Sequence, residues 1–63
     1  MSDFKTILTE EQIQLNERIN KLQEFILTDP FKHIAEVHQS LLKVQLKAMQ
    51  TYSQCLTERI SKL

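Results

Sequence analysis

The sequence predicts an all-α fold, a two-helix antiparallel hairpin with a short first and a long second helix that assembles as a helical homo-oligomer. Three observations carry this prediction. Glycine is absent and proline occurs once, at Pro30, so the chain has almost no means of making tight turns and one natural place to reverse. Apolar residues recur at spacings of four and three on both sides of that proline, which is the period of a helix face. A chain of 63 residues also buries little surface by itself, so disulfides, a metal or self-association are the usual supplements. The single cysteine, Cys55, excludes an intrachain disulfide, and His33, His38 and Cys55 match no zinc spacing. No metal or cofactor is expected, and self-association is the supplement that remains.

Taken in order, residues 1–8 read as a lead-in. Phe4, Ile7 and Leu8 make it apolar without giving it a clear period. A first helix is predicted over about 10–27, within a hairpin spanning 9–63. Thr9 and Gln12 have the spacing of a capping box, and Leu8 and Ile13 that of a hydrophobic staple. Glu10 and Glu11 suit the positive end of the helix dipole. The buried stripe of this helix is Leu15, Ile19, Leu22 and Ile26, an a/d seam. A turn follows at 27–29, where Asp29 precedes Pro30 and is thereby pushed out of the α region. Asp29 then serves as N-cap and Pro30 as first helical residue.

The second helix is predicted over about 30–62, and it carries more apolar surface than one neighbour can cover. Ile34, Val37, Leu41, Leu42, Val44, Leu46, Ala48, Met49, Tyr52, Cys55, Leu56, Ile60 and Leu63 fall on an arc roughly 200° wide, about twice what a helix packed on a single partner needs. Length sharpens the point. The first helix reaches about 27 Å and the second about 50 Å, so the residues from Ala48 onward overhang. An oligomer interface is therefore expected at Ala48, Met49, Tyr52, Cys55, Leu56, Ile60 and Leu63, each large member of which would forfeit roughly 1.5–3 kcal/mol if left in water.

A polar line, His38, Gln45, Tyr52 and Arg59, recurs every seven residues down the centre of that arc. Burying such groups is costly unless they are paired. They act either as register-setting polar residues or as a ligand site, with Arg59 matched to phosphate and Tyr52 to a base. Arg18 and Lys21 form a second basic pair on the first helix, with Phe25 beside them. The chain holds eight basic and eight acidic residues, which excludes the global basic field used to bind bulk nucleic acid. No segment has the apolar length to cross a membrane or the pattern of a signal peptide, so a cytosolic location is expected. There is no Gly-rich phosphate loop, no HExxH, no CxxC and no Ser–His–acid motif; the protein is not expected to be an enzyme.

The series Leu15-x-x-Arg18-Ile19-x-Lys21-Leu22-x-x-Phe25-Ile26, then Leu41-Leu42-x-x-Gln45-Leu46-x-Ala48-Met49-x-x-Tyr52 and Leu56-x-x-Arg59-Ile60, resembles small helical-hairpin proteins of tailed phages, including relatives in crAss-like phages. That group is similar to phage anti-defence sponges, helical oligomers that sequester the cyclic nucleotide signals of CBASS and Thoeris systems. The resemblance implies a pocket between subunits combining an aromatic ring with basic and hydroxyl groups. In the anti-CBASS sponges a lysine of the first helix and a nearby threonine hold the ligand, roles to which Lys21 and Thr28 correspond. Their N-terminal tyrosine has no counterpart here, and Phe4 is the aromatic nearest that place. Two functions follow as expectations: sequestration of a cyclic nucleotide signal, with Arg18, Lys21, Phe25, Thr28, His38, Gln45, Tyr52 and Arg59 at the ligand, or a helical protein-interaction module that binds or inhibits a protein partner.

Overall fold

A computed structural model describes residues 3–63. The chain forms α1 (Phe4–Ile26), α2 (Asp29–Lys32) and α3 (Glu36–Ser61), and α1 and α3 lie antiparallel along a rod of 46 × 17 × 13 Å.

The first helix starts five residues before the predicted Thr9 cap. Asp3 is the N-cap, with extended backbone, and its carboxylate accepts a hydrogen bond from the Thr6 N–H at 2.7 Å, which satisfies one of the free donors at a helix start. Nothing between Lys5 and Thr9 breaks a helix, so it propagates through the expected lead-in; only Met1 and Ser2 of that segment lie outside the described residues. Thr9 sits inside the helix and donates its hydroxyl to the Lys5 carbonyl at 2.8 Å. Gln12, the other half of the expected capping box, reaches across to α3 instead. The Asp3 bond also makes a prediction. Its hydrogen bonds from Thr6 hold the carboxyl below its ordinary value of 3.8, so the cap stabilises fully above that value and is lost as pH falls through the depressed one. Asp3→Ala should lower the melting temperature at pH 7, and the gap to the unsubstituted chain should narrow as the pH falls below 3.8; a gap independent of pH would refute the cap.

The predicted second helix is broken near its start. Thr28, one residue earlier than expected, is the N-cap of the one-turn α2, and Asp29 and Pro30 lie inside its first turn. The chain then turns through His33–Ala35 before α3 begins. No glycine or proline marks this bend. It is held by what it buries and bonds. Phe31 is buried with its ring edge-to-face on Phe25, centroids 5.9 Å apart. The Gln39 amide donates to the carbonyls of Ile34 at 2.7 Å and Lys32 at 3.3 Å, so acceptors freed by the break are satisfied. One aromatic burial and these bonds offset the helical bonds given up.

The consequence is that α1 and α3 are nearly equal, 23 and 26 residues, and the expected overhang is largely covered. Leu8, Leu15, Ile19 and Leu56 form the core, with Leu46, Met49 and Ile60 packed against it. Leu56, expected at an oligomer interface, is 0% exposed within a single chain; Met49 and Ile60 likewise face α1. Ala48, Tyr52, Cys55 and Leu63 remain exposed. The single 200° arc resolves into two stripes. Leu42, Leu46, Met49, Ser53, Leu56 and Ile60, at spacings of four and three, face α1. Val37, Leu41, Val44 and Ala48 face outward. The polar line lies between them in solvent, not at a buried centre.

Register is set on one flank by a hydrogen-bonded cluster. The Gln12 amide donates to the Ser53 carbonyl at 3.0 Å and to the Thr57 hydroxyl at 2.6 Å. Ser53 in turn donates to Asn16 Oδ1 at 2.7 Å. Gln12 and Ser53 occupy seam positions that would otherwise be apolar, and both are half-buried.

Candidate ligand-binding flank

The other flank of the hairpin carries the candidate site. Across the open end of the helix pair, the Arg59 guanidinium carbon lies 5.8 Å from the centre of the Phe4 ring, a cation–π arrangement. Positions seven apart stay on one side of a helix packed in a coiled-coil-like pair. Counting back from Arg59 gives Tyr52, Gln45 and His38; counting forward from Phe4 gives Glu11, Arg18 and Phe25. Because the helices are antiparallel, these two ladders run alongside each other: Phe4 meets Arg59, and Glu11, Arg18 and Phe25 follow within about a turn of Tyr52, Gln45 and His38. Six of the eight residues expected at the ligand thus share one face of the molecule. Every α3 member is exposed, Tyr52 by 45%.

The ladders span about 30 Å, too far for one small molecule to touch both ends, so the expected set divides. At the turn end, Phe25 is half-buried and committed to Phe31, over whose ring the Lys43 ammonium sits 5.9 Å from the centroid. Thr28 donates its hydroxyl to the Phe25 carbonyl at 2.6 Å and is thereby spent on the turn. Neither residue is free in the way the expected pocket required. Lys21 is exposed but lies about 60° further round α1 than Arg18. His38 and Gln45 are exposed on α3 and contact no other candidate residue through a hydrogen bond among the described residues.

At the open end the groups are available. Arg59 makes no salt bridge among the described residues; the ion pair present is the exposed Lys32–Asp29, at 3.6 Å. Phe4 is 55% exposed, so its ring can receive a planar group while the guanidinium receives an anion. The sequence reading puts Phe4 in a lead-in able to fold across part of the overhanging end of the second helix, but outside the helix and not among the ligand residues. The signals were there: an aspartate directly before it, and its place seven residues ahead of Glu11 and fourteen ahead of Arg18. An open depression is lined by Thr51, Gln54, Cys55, Glu58 and Arg59 itself, all on α3, so it is a dip in one helix surface and not a cleft. A second, at the turn end, is lined by Gln23, Ile26, Leu27 and Leu46. No three His, Cys, Asp or Glu side chains gather as a metal site among the described residues, and no helix there is long and apolar enough to cross a membrane.

Fold and flank define a small all-helical hairpin protein with cationic and aromatic groups facing solvent along one side. Residues 2–62 match the family model described as Sequestin, and the chain belongs to that family. It is also similar to a protein of Enterobacteria phage T4, described as the uncharacterized 7.5 kDa protein in the denB-rIIB intergenic region, with 34% identity over 61 residues that cover 97% of this chain and 95% of the relative. No solved structure matches significantly.

Proposed function

We propose that this chain is a phage anti-defence protein that binds a cyclic nucleotide second messenger in the host bacterial cytosol and sequesters it without cleaving it. The observation that carries the reading is the open end of the flank, where the Arg59 guanidinium stands over the Phe4 ring and Tyr52 follows seven residues back. A cyclic nucleotide presents a phosphodiester and a base. A guanidinium suits the first through paired hydrogen bonds, and exposed rings suit the second through stacking. Arg18, Gln45 and His38 extend the same face as further donors. The family name, Sequestin, and the phage origin of the relative support sequestration by a phage protein, and the likeness to crAss-like phage hairpins belongs to the same reading.

Titration calorimetry of the full chain against cyclic di- and trinucleotides and cyclic ADP-ribose isomers tests it. At least one member should give saturable heat at micromolar concentration or below, and should be recovered intact when the protein is denatured. If no member of the panel gives heat, sequestration is wrong and a protein-interaction module takes its place. If the bound nucleotide is recovered cleaved, the non-catalytic reading is wrong.

A further inference from the structure

Glu11 stands on the candidate ligand flank, and neither the fold nor the proposed binding of a nucleotide uses it. Of the eight basic and eight acidic residues, Glu11 alone among the described residues is half-buried; the others are exposed. No ion pair holds its carboxylate there, since the salt bridge present joins Lys32 and Asp29. Its helical neighbours at three and four residues, Ile7, Leu8, Gln14 and Leu15, include no cation. The residue beside it fixes its level along the rod. Gln12 bonds the Ser53 carbonyl and the Thr57 hydroxyl, so this part of α1 lies against the 53–57 stretch of α3. On its own flank Glu11 therefore falls in the interval between Tyr52 and Arg59, while the Arg59 guanidinium rests over the Phe4 ring instead of pairing with it.

A half-buried carboxylate without a partner costs the fold stability, and near a guanidinium offered to an anion it also weakens the attraction. A site built for affinity alone has no use for it, but a site that must refuse some anions does. Nucleoside mono- and triphosphates share base, sugar and phosphate with a cyclic nucleotide, so rings and a guanidinium by themselves do not tell them apart. We infer that Glu11 is a specificity-determining residue, a charge filter that keeps nucleotides with terminal phosphate or polyphosphate groups off the Arg59 end of the flank and admits a cyclic phosphodiester. The inference rests on the nucleotide reading above. A diester phosphate carries a single charge, a terminal phosphomonoester about 1.5 to 2, and a triphosphate more again, so one carboxylate repels the second and third more than the first. Partial burial limits the screening of that repulsion by water and salt. A built-in repulsive element supplies the discrimination that attractive contacts, common to all these ligands, do not.

Calorimetric titration of the full chain and of Glu11→Gln with ATP and AMP tests the filter, because glutamine keeps the length and shape of glutamate without its charge. Glu11→Gln should bind ATP at least about 10-fold more tightly than the unsubstituted chain does, as removal of a close like charge predicts. The gain should be smaller for AMP, and should shrink as salt is raised from about 0.05 to 0.5 M. Glu11→Asp, which keeps the charge, should exclude ATP as the unsubstituted chain does. The melting temperature of Glu11→Gln should be no lower than that of the unsubstituted chain, since the carboxylate holds no partner in the fold. Glu11→Gln binding ATP no more tightly than the unsubstituted chain overturns the inference. So does a gain unaffected by salt, or a melting temperature lowered by several degrees, which would assign Glu11 to the fold. A chain that binds a cyclic nucleotide yet gains no affinity for ATP on Glu11→Gln loses the filter alone; a chain that binds no nucleotide in either form loses sequestration and the filter together.

Discussion

Replacing Leu56 by alanine is expected to cost about 3 kcal/mol of stability, within the range for truncating a fully buried leucine. Leu56 is 0% exposed and sits among Leu8, Leu15 and Ile19, so the substitution removes its contacts with α1 and leaves a cavity that two straight helices collapse into poorly. In a domain of this size each kcal/mol moves the melting temperature by about 4–8 °C, which puts the expected drop at about 12 °C or more. Thermal denaturation followed by circular dichroism reads this directly. A loss below about 1 kcal/mol would mean that Leu56 does not lie at the centre of the core, and the pairing of α1 with α3 would have to be redrawn. Truncating Leu27, which is 83% exposed, should by contrast leave the melt almost unchanged.

Arg59→Ala is expected to weaken nucleotide binding by about 10- to 150-fold, the equivalent of the 1.5–3 kcal/mol that a hydrogen bond to a charged group supplies. The same substitution should shift the melting temperature by only a few degrees, because an exposed cation–π contact of the Arg59–Phe4 kind contributes about 0.5–1 kcal/mol. Arg59→Lys keeps the charge but not the planar fork and should fall between the two. Calorimetry with whichever nucleotide binds the unsubstituted chain measures all three. Unchanged affinity in Arg59→Ala would move the site off the open end and toward Arg18 and His38.

The helical class, the reversal near Pro30 and the Leu15–Ile26 stripe could be read from the sequence because they depend on local period and on backbone restrictions that act over a few residues. The length of α1 could not be read so easily, since Thr9 and Gln12 imitate a capping box and Asp3 offers a single competing signal; burial of Leu8 against α3, a long-range contact, tips the balance. The bend at His33–Ala35 has no breaker residue at all. It exists because Phe31 packs on Phe25 and Gln39 captures free carbonyls, interactions that appear only once the chain has folded back. These two differences together erased the overhang and moved Leu56 from an expected interface into the core. As for the site, its polar line of four residues at seven-residue spacing was visible, and so were Arg18 and Phe25 of the partner ladder, but Phe4 was not set on that ladder because it was placed outside the helix. Thr28 and Phe25 were plausible by residue type, yet the turn uses both.

Gln12 has a consequence of an evolutionary kind. Its amide lies in the seam between the helices, held by the Ser53 carbonyl and the Thr57 hydroxyl, with Ser53 bonded onward to Asn16. Sliding α1 by one heptad would set that half-buried amide against Leu46 or Ile60 and break these bonds, each worth about 0.5–1.5 kcal/mol. The cluster therefore works as a key that admits one alignment of two otherwise repetitive helices. A lineage can exchange the apolar seam residues one at a time with modest penalties, but Gln12, Asn16, Ser53 and Thr57 are bound to change as a set. Converting the set to leucines would trade the single alignment, and with it the pairing of Phe4 with Arg59, for a smoother and less selective seam.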